Sequence, residues 1–385
     1  MTRTQLLCLC STALLCAASC SQDAYDTSRG IDKEIRLFTE QVSLPVGDVG
    51  PFTPSLLLDK AGLGNVLKSF VKEDQDGFLV IEKEGLLYSN PVLLIAYTIP
   101  DQTKPVDLPV SDQSGNLGSD ALSLSAIGFA PSLQAFSIQA RNPLSDEISI
   151  SGKLTITSAP DGSSPAETLA SQEFSKAKVS AGNTVGEILR VERTGGKSFY
   201  EFQLENLIMH LPANLLEKDT AGGLGFLELG YHYKAYISLE KDLAESIPFV
   251  LSDLNLPLGQ FQVKEARICT EVSSEIPVTL AVESVEVLVK QSDENGKESV
   301  VTCGDVSVSP GIRIESGSSG NPAITPLDIT IKANEGTVPD ISGLQLSLSI
   351  KAPTGSGDKR LGMNQAVYFN NLRATVSGGI TIQGL

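Results

Sequence analysis

Ile148-Ser149-Ile150-Ser151-Gly152-Lys153-Leu154-Thr155-Ile156 decides the fold. Its even positions are Ile, Ile, Gly, Leu and Ile, and its odd positions are Ser, Ser, Lys and Thr, so an extended chain has one dry and one wet face. That is the pattern of an antiparallel strand with one side on a core and the other in water. Leu344, Leu346, Leu348 and Ile350 alternate in the same way with Gln345, Ser347 and Ser349. A third run changes phase. Val278, Leu280 and Val282 are followed by Val285, Val287 and Val289, and the slip at Glu283-Ser284 predicts a β-bulge, because one extra residue exchanges the two faces. Asp161-Gly162-Ser163-Ser164 and Ser292-Asp293-Glu294-Asn295-Gly296 have the composition of hairpin turns.

Helix signal is scarce. Leu63, Val66, Leu67, Phe70 and Val71 share one helical face, which predicts one short amphipathic helix near residues 59–72, with Asp59 as N-cap and Asp76-Gly77 as its stop. The apolar run Val92 to Ile99 is too short to span a bilayer and reads as a buried strand. Short segments repeat: Asn206-Leu207 before Leu211 to Leu215 matches Asn371-Leu372 before Val376 to Ile380, and Val42 to Gly47 matches Leu254 to Gly259. The expected fold class is all-β, with two or three antiparallel sandwich-like units in tandem. Turn-rich stretches divide the chain into an N-terminal unit with the helix (35–110), a middle unit (111–217) and a C-terminal part (218–385).

The N-terminus carries an address. Arg3 precedes an apolar run from Leu6 to Ala18, the form of a secretory signal (1–19), and Ala17-Ala18-Ser19-Cys20 resembles a lipobox, which implies cleavage before Cys20 and diacylglycerol on its thiol. Ala17 stands where that motif usually has Leu. Residues 20–34 read as a tether. No Asp follows Cys20, which by resemblance to lipoprotein sorting signals implies the outer membrane.

Charge excludes several partners. With 46 acidic and 29 basic residues the net charge is −17, which repels nucleic acid and anionic lipid headgroups. Outside the signal, Cys269 and Cys303 are the only thiols besides Cys20, and in an oxidising compartment their 34-residue separation predicts a disulfide. Tyr231, Tyr233 and Tyr236 in one strand are a candidate ligand platform, against the alternative of ordinary cross-strand aromatics. His210 and His232 are the only imidazoles, and neither sits in a catalytic motif. Glu73-Asp74-Gln75-Asp76-Gly77 lacks the spacing of a calcium loop. No metal site, cofactor site or catalytic residue is expected.

The lipobox, the tether and a β-rich body that opens with Val42-Ser43-Leu44-Pro45-Val46-Gly47 and continues through Gly77-Phe78-Leu79-Val80-Ile81-Glu82-Lys83-Glu84-Gly85 resemble outer-membrane lipoproteins of Bacteroidota. The resemblance implies an all-β, lipid-anchored envelope protein. The leading expectation is a non-catalytic binding or adhesion module with a protein or glycan partner. The alternatives are a pilin-like fimbrial subunit, for which Arg29-Gly30 is the candidate cut, and an extracytoplasmic hydrolase using paired carboxylates.

Overall fold

The computed structural model describes residues 34–37, 41–160, 164–222, 224–243, 246–261, 263–292, 298–308, 312–353, 358–377 and 380–383. Cys20, the tether up to Lys33, and the central residues of both expected turns lie outside them. In chain order the strands are β1 (Glu34–Leu37), β2 (Gln41–Phe52), β3 (Lys72–Glu73), β4 (Leu79–Pro91), β5 (Val106–Val110), β6 (Gln113–Asn116), β7 (Phe129–Arg141), β8 (Ile148–Thr157), β9 (Thr168–Val179), β10 (Val185–Thr194) and β11 (Glu201–Leu211). They continue with β12 (Phe226–Leu239), β13 (Ser246–Leu251), β14 (Glu265–Ser274), β15 (Thr279–Ser292), β16 (Glu298–Thr302), β17 (Val306–Val308), β18 (Arg313–Ile314), β19 (Ala323–Ala333), β20 (Gly343–Lys351), β21 (Val367–Ser377) and β22 (Ile380–Gln383). Among the described residues five short helices punctuate them: α1 (Pro54–Lys60), α2 (Gly64–Lys68), α3 (Val92–Thr98), α4 (Ser119–Ala126) and α5 (Leu215–Lys218).

Four antiparallel sheets form two sandwiches. The N-terminal sandwich stacks β10-β7-β12-β4-β3 on β5/β6-β11-β8-β9. Phe136 and Tyr231 of the first sheet close on Phe202 of the second, with both centroid distances 4.9 Å. The C-terminal sandwich stacks β13-β20-β15-β16 on β17-β19-β14-β21-β2, and here Phe249 of one sheet meets Phe52 at 4.2 Å and Phe369 at 6.0 Å from the other. Rings from facing sheets interdigitate because every second residue of each strand points inward. The alternation read at Ile148–Ile156 holds: Ile148, Ile150, Leu154 and Ile156 are buried. The phase slip at Glu283 is a bulge, with the register to β20 shifting between Val282 and Ser284.

Strand pairing cuts across the expected units. β4, from the first expected segment, pairs with β12, from the third, and β2 pairs with β21 at the other end of the chain. The turn-rich stretches are loops within sheets, and composition cannot tell such a loop from a linker. The helix expected at 59–72 is two shorter ones, α1 and α2, which meet at Gly62 with φ 70°. Val92 to Thr98 is helical where a strand was expected, because Pro91 ends β4 and supplies an extended N-cap. Short apolar runs do not carry enough periodicity to decide between the two.

The two sandwiches are joined by a wedge from the C-terminal one. The Leu361 N–H donates to the Ile237 carbonyl (2.8 Å), and the Leu361 carbonyl accepts the Leu79 N–H (2.8 Å), at the end of the β12–β4 pair. The Met363 N–H donates to the Gly77 carbonyl (2.8 Å). Leu57 and Leu58 of α1 line, together with Phe129, Ile350 and Leu361, a hollow of only ≈ 20 Å³.

A candidate ligand-binding cleft at the junction

The wedge brings three separated segments together. Arg360 is held by Asp358 in a fork, Nε to Oδ1 at 3.0 Å and Nη2 to Oδ2 at 2.6 Å, the bidentate geometry that makes such pairs strong. Its guanidinium lies over Phe78 (4.4 Å) and Tyr236 (5.2 Å). The hydrogen bond with Asp358 raises Arg360 above its ordinary value, and Arg360 in turn holds the Asp358 carboxyl below the usual range. Beside them Lys234 donates to Asp74 (2.8 Å) and lies 4.9 Å from the Tyr236 ring. Burial works to raise the Asp74 carboxyl. The Lys234 ammonium and the N–H groups of Phe78 and Asp76 outweigh it and leave it lowered.

Next to this fixed cluster opens a cleft of ≈ 590 Å³ between the sandwiches, with Ser132, Thr194, Gly196, Glu240, Lys359 and Arg360 on its walls. Gly195 and Gly196 have φ 64° and 72°, and the Gly195 N–H donates to the Ser132 carbonyl (2.7 Å), so a tight turn shapes one wall. A smaller hollow of ≈ 210 Å³ shares Pro353, Asp358 and Lys359 and continues toward Ser316-Gly317-Ser318. The lining offers an ammonium, a carboxylate and hydroxyls, and its described residues include no His or Cys. Clefts between domains are preferred ligand sites.

The expected platform does not form. Tyr233 is completely buried and donates to Gln134 Oε1 (3.1 Å), and Tyr231 is stacked on Phe136 at 5.9 Å inside the sandwich. A Cβ at Gly85 would stand 2.5 Å from the Tyr231 ring, so glycine is what lets that ring pack flat. Tyr236 alone of the three faces outward, and Arg360 lies over its ring. The expected disulfide is also absent: Cys269 and Cys303 are free thiols. Cys269 alternates with the buried Ile268 and Thr270 and so points out of its sheet, while Cys303 follows β16 in the facing sheet, roughly 10 Å away across the sandwich.

His210 stands in a row that has the order of a catalytic triad. Its Nδ1 is 2.6 Å from Asp107 Oδ1 and its Nε2 is 2.8 Å from Ser151 Oγ. The row runs across the outer face of the sheet, no described cleft opens on it, and Ser151 Oγ also accepts the Lys176 N–H (2.9 Å), which caps a bulge in β9. It is a cross-strand polar ladder. His232 similarly meets Glu82 at 2.9 Å. Among the described residues no group of three or more His, Cys, Asp and Glu is placed to hold a metal ion. No described helix is long and apolar enough to cross a membrane.

The sequence did not reveal the cleft, because its walls come from residues 130–133, 194–196, 238–240 and 352–360, none of which forms a motif alone. No family model and no curated protein matches this chain. Among solved structures it is similar to a candidate secreted protein of Parabacteroides distasonis, with TM-score 0.38 and 16% identity over 88% of this chain and 100% of the other. It is similar more remotely to the N-terminal CBM22 tandem of Paenibacillus barcinonensis Xyn10C, with TM-score 0.17 and 8% identity over 80% and 96% of the two chains. Neither likeness is close enough to transfer a ligand.

Proposed function

We propose that this chain is a non-catalytic binding protein of the outer membrane, tethered through acylated Cys20, which holds a polar extended ligand in the cleft between its sandwiches. The observation that carries this is the ≈ 590 Å³ cleft itself, walled by Lys359, Glu240 and Thr194 around a wedge that is already fixed by hydrogen bonds. A preformed site spares the ligand the cost of ordering its receptor. Both charge signs on the walls suit a segment of peptide or a charged glycan, and the rings beside the cleft are already covered by Arg360, which disfavours a neutral sugar that needs stacking. Screening the full chain against peptide and glycan arrays tests the assignment. Ser132→Trp fills the cleft and is expected to abolish the hits; hits that survive it contradict the cleft as the site.

The pilin-like alternative has one observation in its favour: β2 is an edge strand of the C-terminal sandwich supplied by the start of the chain. Strands of that kind exchange between molecules. Boiling-resistant ladders from native cells would favour this alternative, and a monomer band would favour the binding module.

A further inference from the structure

The end of the N-terminal sandwich farthest from the junction is apolar. α3 contains no charged residue and exposes Leu93, Leu94 and Tyr97. Leu224 and Phe226 flank Gly225, whose carbonyl accepts the Val92 N–H (2.8 Å), and α5, which packs on α3, exposes Leu216. Tyr97 is 77% and Leu224 80% exposed. At about 200 Å² for a fully exposed large apolar residue, the six together present on the order of 650 Å². Monomers rarely leave a patch of that size uncovered.

We propose that this tip docks on the same tip of a second copy in a twofold contact. Doubling the patch buries about 1,300 Å², inside the range of specific interfaces. Charge selects the same occupant. At −17 the chain repels its own copies over most of its surface, whereas α3, the centre of the tip, carries no charge. The two lysines beside it are held by carboxylates, Lys104 by Asp101 (3.2 Å) and Lys218 by Asp146 (3.0 Å), and Glu217 is exposed at its rim. A surface built for lipid would leave its cations free for headgroups, and here carboxylates hold them. The N-terminal strands do not cover the patch, because β1 and the first residues of β2 lie at the opposite tip, beside β22 and the last residues of β21.

Sedimentation velocity on the full processed chain, up to about 100 µM, tests this across the range where weak specific pairs associate. The expected result is a concentration-dependent dimer whose dissociation constant rises at least tenfold in Leu94→Glu and in Leu224→Glu. Val300→Glu, at an equally exposed position on the other sandwich, is expected to leave it unchanged. A monomer throughout, or a dimer indifferent to both tip variants, overturns the proposal. So does a monomer that sediments with vesicles of phosphatidylethanolamine and phosphatidylglycerol and loses them on Leu94→Glu, which would make a bilayer the occupant.

Discussion

The Asp48 carboxylate accepts the backbone N–H of Asn371 at 2.8 Å, across 323 positions of sequence. Asn371 has φ 54° and sits in a bulge of β21, where Asn371-Leu372 stand opposite Thr270 alone. The bulge turns one N–H out of the ladder, and the edge strand β2 brings a carboxylate to it. The N-terminal sandwich repeats the arrangement. Asn206, φ 55°, sits in a bulge of β11 opposite Gly152, and its N–H donates to Asp112 Oδ1 at 3.1 Å. In both, a Val-x-Leu-Pro-Val-x-Asp segment lies along the edge, residues 42–48 in one and 106–112 in the other. The register agrees, with Ser43 opposite Thr375 and Asp107 opposite His210.

These clasps are expected to contribute stability through backbone conformation. Asn371→Ala should cost about 1 kcal/mol, because alanine lacks the short polar side chain that lets asparagine tolerate the left-handed region, while Asn371→Gly should be nearly neutral. Urea unfolding followed by fluorescence measures both; equal losses in the two variants would show that the side chain matters instead.

Phe202 joins the two sheets of the N-terminal sandwich by its contacts with Phe136 and Tyr231. Phe202→Ala is expected to lower unfolding free energy by about 3–5 kcal/mol, as for other buried rings. A loss below about 1 kcal/mol in urea unfolding would contradict the packing.

The cysteines should behave as independent thiols. Two reactive sulfhydryls at Cys269 and Cys303 are expected on titration of the unfolded protein without reductant, and dithiothreitol should leave the melting temperature unchanged. A drop of several degrees with reductant would show that a bond had linked them.

Acid should weaken the Lys234–Asp74 pair at the junction. The Asp74 carboxyl is held below its ordinary value, so its contribution is present above the unfolded value near about pH 4 and fades as pH falls through the lower folded value. Thermal melts of the wild type and Asp74→Asn should differ at neutral pH, and the difference should shrink progressively as pH falls below about 4. A difference that is absent at neutral pH, or that grows on acidification, contradicts the shift.

The all-β class was legible because alternation is a local signal, and so was the bulge at Glu283, because a phase slip is local too. The clasp at Asn371 was partly legible in its Asn-Leu echo at Asn206. Its other half was not: Leu254 to Gly259, the segment that resembles Val42 to Gly47 in sequence, runs outside the regular strands into a short 3-10 turn. The structural counterpart is Val106 to Asp112, and the aspartate shared by positions 48 and 112 is the signal that marks it. Helix α3 was not legible, since six apolar residues and a threonine suit a strand as well. Nor was the cleft, which depends on where Lys359 and Gly196 meet through tertiary packing.

The cleft as the ligand site is tested most directly by placing a photo-reactive benzophenone side chain at Thr194 in the full-length protein and irradiating living cells. A covalent adduct of defined mass is expected from this position and not from Lys153, which lies on the outer face of β8. No adduct at Thr194, or the same adducts at both positions, would contradict the account.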